Sequence, residues 1–144
     1  MFSRVRLLFA AALVIGGAAA CTDLTGTNAS ADGTYFLQAV NGIQVPYSYV
    51  DNSGNSITVQ SDIYALNTNG TYTEQATYRI NNSTSSQSEA GNWSQSGTVV
   101  TLSPTQSSIN DFTVYQGTIS NSGVFGGTRT LTIMLNGTTA VYSE

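Results

Sequence analysis

The sequence from residue 33 to residue 144 predicts an all-β fold of antiparallel strands, and three observations predict it. Thr, Ser, Asn and Gly dominate, punctuated by Tyr, Val, Ile and Leu, a mixture that favours strands and tight turns over helices. Short Asn- and Gly-containing turn signals recur between extended runs. Within those runs apolar and polar residues alternate, and no helical period follows residue 20.

Taken in order, Thr34 to Val40 (TYFLQAV) opens the series and the Asn41-Gly42 turn leads to Val45 to Val50. Pro46 marks that run as an edge strand or a strand start, because proline cannot donate to a ladder. Residues 51–56 (DNSGNS) form a polar turn. Ser56 to Leu66 and Thr71 to Ile80 flank Asn67-Thr68-Asn69-Gly70, a hairpin signal predicting a type I′ turn at Asn69-Gly70. Asn81 to Ser88 (NNSTSSQS) reads as a mobile loop. Glu89 to Gln95 and Thr98 to Ser103 flank Ser96-Gly97 in a second hairpin. Phe112 to Ser120 precedes a Gly-rich loop, and Thr128 to Leu135 pairs with Thr139 to Ser143 across Asn136-Gly137. The total is eight or nine strands joined by short turns.

Alternation assigns the faces. Leu131, Ile133 and Leu135 share one face of their strand, and Thr130, Thr132 and Met134 the other. Between Thr71 and Ile80, one face carries Tyr72, Glu74, Ala76, Tyr78 and Ile80, while the opposite face, Thr71 to Arg79, belongs in water. From Ile57 to Leu66 the apolar face changes sides near Ser61-Asp62, which requires a bulge or sharp bend. Sheets with one dry face, in sequential hairpins, either close into a barrel or pair as a sandwich.

The N-terminal residues direct the chain elsewhere. Arg4 and Arg6 precede an uncharged stretch from Leu7 to Ala20, the layout of a secretory signal peptide, and too short for a comfortable membrane span, which needs about 20 apolar residues. Residues 1–20 are therefore expected to be a signal helix. Ala18-Ala19-Ala20 fits ordinary signal-peptidase cleavage, which would leave Cys21, the only cysteine, as a free thiol. Ala18-Ala19-Ala20-Cys21 also resembles a bacterial lipobox, with Ala18 where a branched aliphatic is usual. That resemblance implies a lipidated Cys21, and three acyl chains would make attachment essentially permanent. With Thr22 rather than an aspartate after the cysteine, the same resemblance implies the outer membrane, facing either side. Residues 21–32 (CTDLTGTNASAD) read as the lipidated cysteine and a flexible tether, whose last 11 residues reach at most about 36 Å.

Charge and residue types narrow the function. Past residue 20, eight acidic residues stand against Arg79 and Arg129, with no lysine or histidine, so the surface repels phosphate backbones. The common general bases are missing and no Gly-x-Ser-x-Gly elbow occurs, so no catalytic activity is expected. Zinc or copper would need His or clustered Cys, and no cofactor is implied. Asp51-Asn52-Ser53-Gly54-Asn55 offers calcium-compatible oxygens without the later acidic ligand, and Asx-rich turns are the commoner use of such residues.

GTYFLQAVNG, LNTNGTYT, GNWSQSGTVVTLSP and LTIMLNGTTAVY, in this order, resemble the small bacterial lipocalin-like lipoproteins over nearly all of residues 33–144. Gly33-Thr34-Tyr35 resembles their Gly-x-Trp opening, with tyrosine for tryptophan, and Arg129 resembles the arginine that packs over that aromatic. The Thr-Asp-Tyr loop of the family is absent. The resemblance implies an eight-stranded up-and-down barrel over residues 33–144 with a central pocket for a small apolar ligand. Glu74 breaks the apolar pattern of its face and needs a partner: the barrel mouth, Arg129 or a tyrosine hydroxyl. In the functional reading Glu74, Tyr72 and Tyr78 orient the polar end of a ligand. Trp93 reads as a core plug. The expected function is a membrane-tethered, monomeric barrel binding a small apolar or amphiphilic molecule. The alternative is a cell-envelope module binding protein or polysaccharide through its outer surface.

Overall fold

A computed structural model describes residues 30–122 and 127–144, so the expected signal peptide, Cys21 and most of the expected tether lie outside the described residues. Ten strands follow one another: β1 (Gly33–Val40), β2 (Ile43–Gln44), β3 (Tyr47–Val50), β4 (Ser56–Leu66), β5 (Thr71–Ile80), β6 (Ser83–Ser96), β7 (Val99–Ser107), β8 (Tyr115–Asn121), β9 (Arg129–Leu135) and β10 (Thr138–Ser143). All pairings are antiparallel, and β1 closes the sheet by pairing both β10 and β4. The result is a closed barrel of eight strands, with β2 and β3 as short additions. Closure satisfies the backbone groups that an open sheet would leave at its edges.

The seam between β1 and β4 holds only from Gly33–Leu66 to Phe36–Ile63. Beyond it β1 turns to β2, and β4 turns to β3. The run predicted at Val45 to Val50 begins at Tyr47, directly after Pro46, and lies at the edge of the sheet, as a proline there implied. The predicted change of face in β4 is present: its register with β5 skips between Val59 and Ser61, so Val59 and then Asp62, Tyr64 and Leu66 are buried.

Asn81 to Ser88, read as a loop, is mostly strand. Residues from Ser83 onward pair with β5 all the way from Ile80–Ser83 to Thr71–Asn92. A ladder needs only backbone partners, and the Ser/Thr/Gln side chains carry no apolar alternation to announce it. The strand expected from Phe112 begins only at Tyr115. The preceding residues are held as a loop by Ser107 Oγ, which accepts the N–H of Ile109 and of Asp111, and by Asp111, which accepts the N–H of Thr113. The hairpin at Asn67 to Gly70 forms, but only Gly70 has positive φ (81°), so it is not type I′. Asn41-Gly42 and Asn136-Gly137 have positive φ at both residues and are the type I′ turns.

One end of the barrel is filled. Tyr35, Tyr72, Val100, Leu102 and Leu131 are fully buried there, with Leu66 and Ile119 beside them. The Tyr35 hydroxyl donates to Ala31 O (2.9 Å), and Ala31 N–H donates to Gln95 Oε1 (2.8 Å). Arg129 lies 6.0 Å from the centre of the Tyr35 ring, as the resemblance implied. It also donates to Glu144 and, through Nη1, to Ser30 O. Trp93, read as a core plug, is only half-buried: it packs against the core from its edge and donates to Asn67 O (2.9 Å).

Candidate functional site

The other end of the barrel holds a cavity of about 540 Å³. Its wall includes Val40, Val59 and Ile133, and its rim includes Asn41, Asn136, Ile109 and Asp111 from the turns and loops of that end. Inside the cavity the alternation of β4, β5 and β6 places Asp62, Glu74 and Glu89, which line it together with six of the eight tyrosines.

Glu74 is buried on the inward face of β5, as its period predicted. Its partner is neither Arg129, which is engaged with Glu144, nor a tyrosine: it is Asp62, through a side-chain hydrogen bond. Two carboxyl groups form such a bond only when they share a proton. Burial, and then the Asp62 charge, hold the Glu74 carboxyl well above the usual carboxylate range. Burial also raises Asp62, against hydrogen bonds that favour its charge, the first from the Tyr142 hydroxyl to Oδ2 (2.8 Å). The two carboxyls therefore hold one proton between them. Among the described residues, no N–H or tyrosine hydroxyl donates to Asp62 Oδ1, which is buried.

Tyrosine hydroxyls connect the third carboxylate. Tyr115 donates to Glu89 Oε1 (2.6 Å), Tyr72 donates to the same oxygen, and the Tyr64 and Tyr115 hydroxyls are 2.8 Å apart. The Tyr64 ring meets Tyr142 edge-on, with centres 5.2 Å apart. Burial pushes the phenols of Tyr64 and Tyr142 up, so they remain donors at any physiological pH.

Of the residues read from the sequence, Glu74 and Tyr78 line the cavity. Tyr72 does not: it is fully buried below, and acts through its hydroxyl on Glu89. Cys21 lies outside the described residues. Sequence reasoning missed Asp62, Glu89, Tyr64, Tyr115 and Tyr142. Asp62 was accessible, because beyond the bulge it shares a face with Tyr64 and Leu66. Glu89 pairs directly with Glu74 across β5 and β6, a register hidden by reading Asn81 to Ser88 as a loop. Asp51 spends its oxygens on its own turn: Oδ1 accepts the N–H of Ser53 and Asn55, and Oδ2 accepts Asn55 Nδ2. No protein-family model matches the chain, and no curated protein matches it.

Proposed function

We propose that the protein is a lipoprotein, tethered to the outer membrane through Cys21, whose lipocalin-like barrel binds a small apolar or amphiphilic molecule without catalysing a reaction on it. The cavity carries this reading: at about 540 Å³ it falls within the roughly 300–1,000 Å³ of small-molecule sites, and it combines apolar walls with a few convergent polar groups. A barrel that filled itself with side chains would have left no such space. Binding without catalysis accords with a chain that has no histidine or lysine, and whose inward carboxyl and phenol groups engage one another. A monomer accords with a barrel that closes its own edges.

The alternative, a surface module for an envelope partner, has in its favour the exposed Ile43, Val50, Phe112 and Val114 near the mouth. Native mass spectrometry of protein extracted in mild detergent separates the two. A co-purifying small molecule is expected; an empty barrel that captures no lipid or metabolite from an extract, yet retains an envelope protein or polysaccharide, sinks the ligand reading. The anchor has its own test. Cys21→Ser is expected to move the protein from the membrane to the soluble fraction, and labelled palmitate should mark the wild type alone.

A further inference from the structure

The cavity has a sign. Four of the eight acidic residues of the chain line it, Asp62, Glu74, Glu89 and Asp111, and among the described residues no basic one does. The two arginines of the described residues are committed elsewhere: Arg129 at the filled base with Glu144, and Arg79, exposed, with Asn82. An apolar pocket meant for a neutral or anionic guest gains nothing from buried carboxylates, whose desolvation is costly.

A second observation concerns Asp62. Only 9% of its surface is exposed, it lines the cavity, and its buried Oδ1 has no donor. The Tyr142 hydroxyl serves Oδ2, and the proton shared with Glu74 lowers the charge of the pair, but Oδ1 receives no N–H or tyrosine O–H. A guest bearing N–H donors and a positive charge would supply what this oxygen lacks. A third observation is the aromatic wall: Tyr47, Tyr64, Tyr78 and Tyr142 are among the tyrosines around the space, and ring faces attract organic cations by about 0.5–2 kcal/mol each. A metal ion fits less well. Among the described residues no three carboxylates converge as metal ligands, and a hard cation needs a shell of oxygens rather than ring faces.

We infer that the ligand is an organic cation, an amine or ammonium group on an apolar ring system, with its charge among Asp62, Glu74 and Glu89 and its apolar body against Val40, Val59 and Ile133. The inference rests on the reading that the cavity holds a small molecule. As the ammonium enters, the proton shared by Asp62 and Glu74 leaves for solvent, so that the charge of the site is matched by the charge of the guest. The same ammonium chemistry occurs in free amines and in the headgroups of aminophospholipids.

Calorimetry on the purified full-length protein in a neutral detergent tests the inference with three probes of one shape: tryptamine, tryptophol and indole-3-propionate. Tryptamine is expected to bind at least about tenfold tighter than tryptophol at neutral pH, a difference of about 1.4 kcal/mol, with indole-3-propionate weakest. Asp62→Asn and Glu89→Gln should each remove most of that preference while tryptophol binding persists. Competition against tryptamine by short-chain phosphatidylethanolamine, but not by phosphatidylglycerol, would assign the ammonium to a lipid headgroup; failure of both would assign it to a free amine. Equal binding of all three probes, or tighter binding of the propionate, overturns the cationic ligand and leaves the binding barrel standing. Displacement of tryptamine by calcium ions, with calcium itself binding, overturns it in favour of a metal. Binding of none of the probes by a correctly melting wild type removes both readings together.

Discussion

The two ends of the barrel are made from the same strands and share no design. At the base, every second residue of β1, β4, β7 and β9 delivers an apolar or fully satisfied side chain: Tyr35, Leu66, Leu102 and Leu131 are buried, and Arg129 and Glu144 seal the rim. At the mouth, the same alternation delivers Asp62, Glu74 and Glu89, and leaves about 540 Å³ unfilled. Closing a barrel needs only one packed end. The second end is free to carry groups that cost stability, and local rules are broken where a site is built. The base holds the fold and the mouth holds the chemistry.

If that division is real, a truncation at the base should cost far more than one at the mouth. Leu102, with no exposure, sits in the filled base, and Leu102→Ala is expected to destabilise by about 2–5 kcal/mol through lost burial and a new cavity. Leu135 lies at the mouth, 42% exposed and already beside empty space, so Leu135→Ala should cost under about 1 kcal/mol. Chemical denaturation measures both. Equal losses would mean that the cavity wall is as tightly packed as the base, and that the space closes in solution.

The acidic pair gives the next effect, with an unusual sign. Glu74 is raised from 4.5 to about 9, and Asp62 from 3.8 to about 6. A carboxyl that holds its proton more tightly when folded stabilises the fold in acid. That stability is complete below the unfolded values near pH 4 and is lost as pH rises through the folded ones, over a window from about 4 to about 9. The empty barrel should therefore melt lower at pH 8 than at pH 5, by roughly 2 kcal/mol or more, because each tenfold in proton affinity is worth about 1.4 kcal/mol. Glu74→Gln keeps a donor for Asp62 and never ionises, so it should flatten the profile and exceed wild type in stability at pH 8. A wild-type melting temperature that is level across this range would place the carboxyl in water.

Much of the barrel was legible in the sequence because its devices are local. The bulge near Ser61-Asp62, the inward face of β5 and the Asn41-Gly42 and Asn136-Gly137 turns each follow from a few adjacent residues. The extension of β6 was not legible, since a strand of Ser and Thr exposed on most positions has no period to read and exists because β5 is beside it. The site suffered for that miss. Glu74 was found as a break in a pattern, but its partners Asp62 and Glu89 come from other strands, and only closure sets them around one space. Register between strands is a long-range property, whereas alternation along one strand is not. Asn69-Gly70 shows the local limit as well: the dipeptide marks a turn, yet the Asn69 side chain accepts the Thr71 N–H (3.0 Å), and only Gly70 takes positive φ.

A small effect is also expected at Arg129, and it tests whether the two ends are independent. Its guanidinium donates through Nε and Nη2 to the Glu144 carboxylate, through Nη1 to Ser30 O, and lies 6.0 Å from the Tyr35 ring centre. These contacts are partly exposed, so water and salt screen them, and Arg129→Gln should cost only about 1 kcal/mol. The Glu144 carboxyl is held low chiefly by that hydrogen bonding, so the contribution of the pair is present above the ordinary carboxylate range and fades as pH falls into acid. High salt should shrink the difference between wild type and variant. The cavity lies at the opposite end, and Arg129 does not line it. Binding of tryptamine, or of any other probe the wild type accepts, should therefore be unchanged in the variant. A loss of binding with little loss of stability would show that the base positions the acidic floor, and the separation of a structural end from a chemical end would have to be given up.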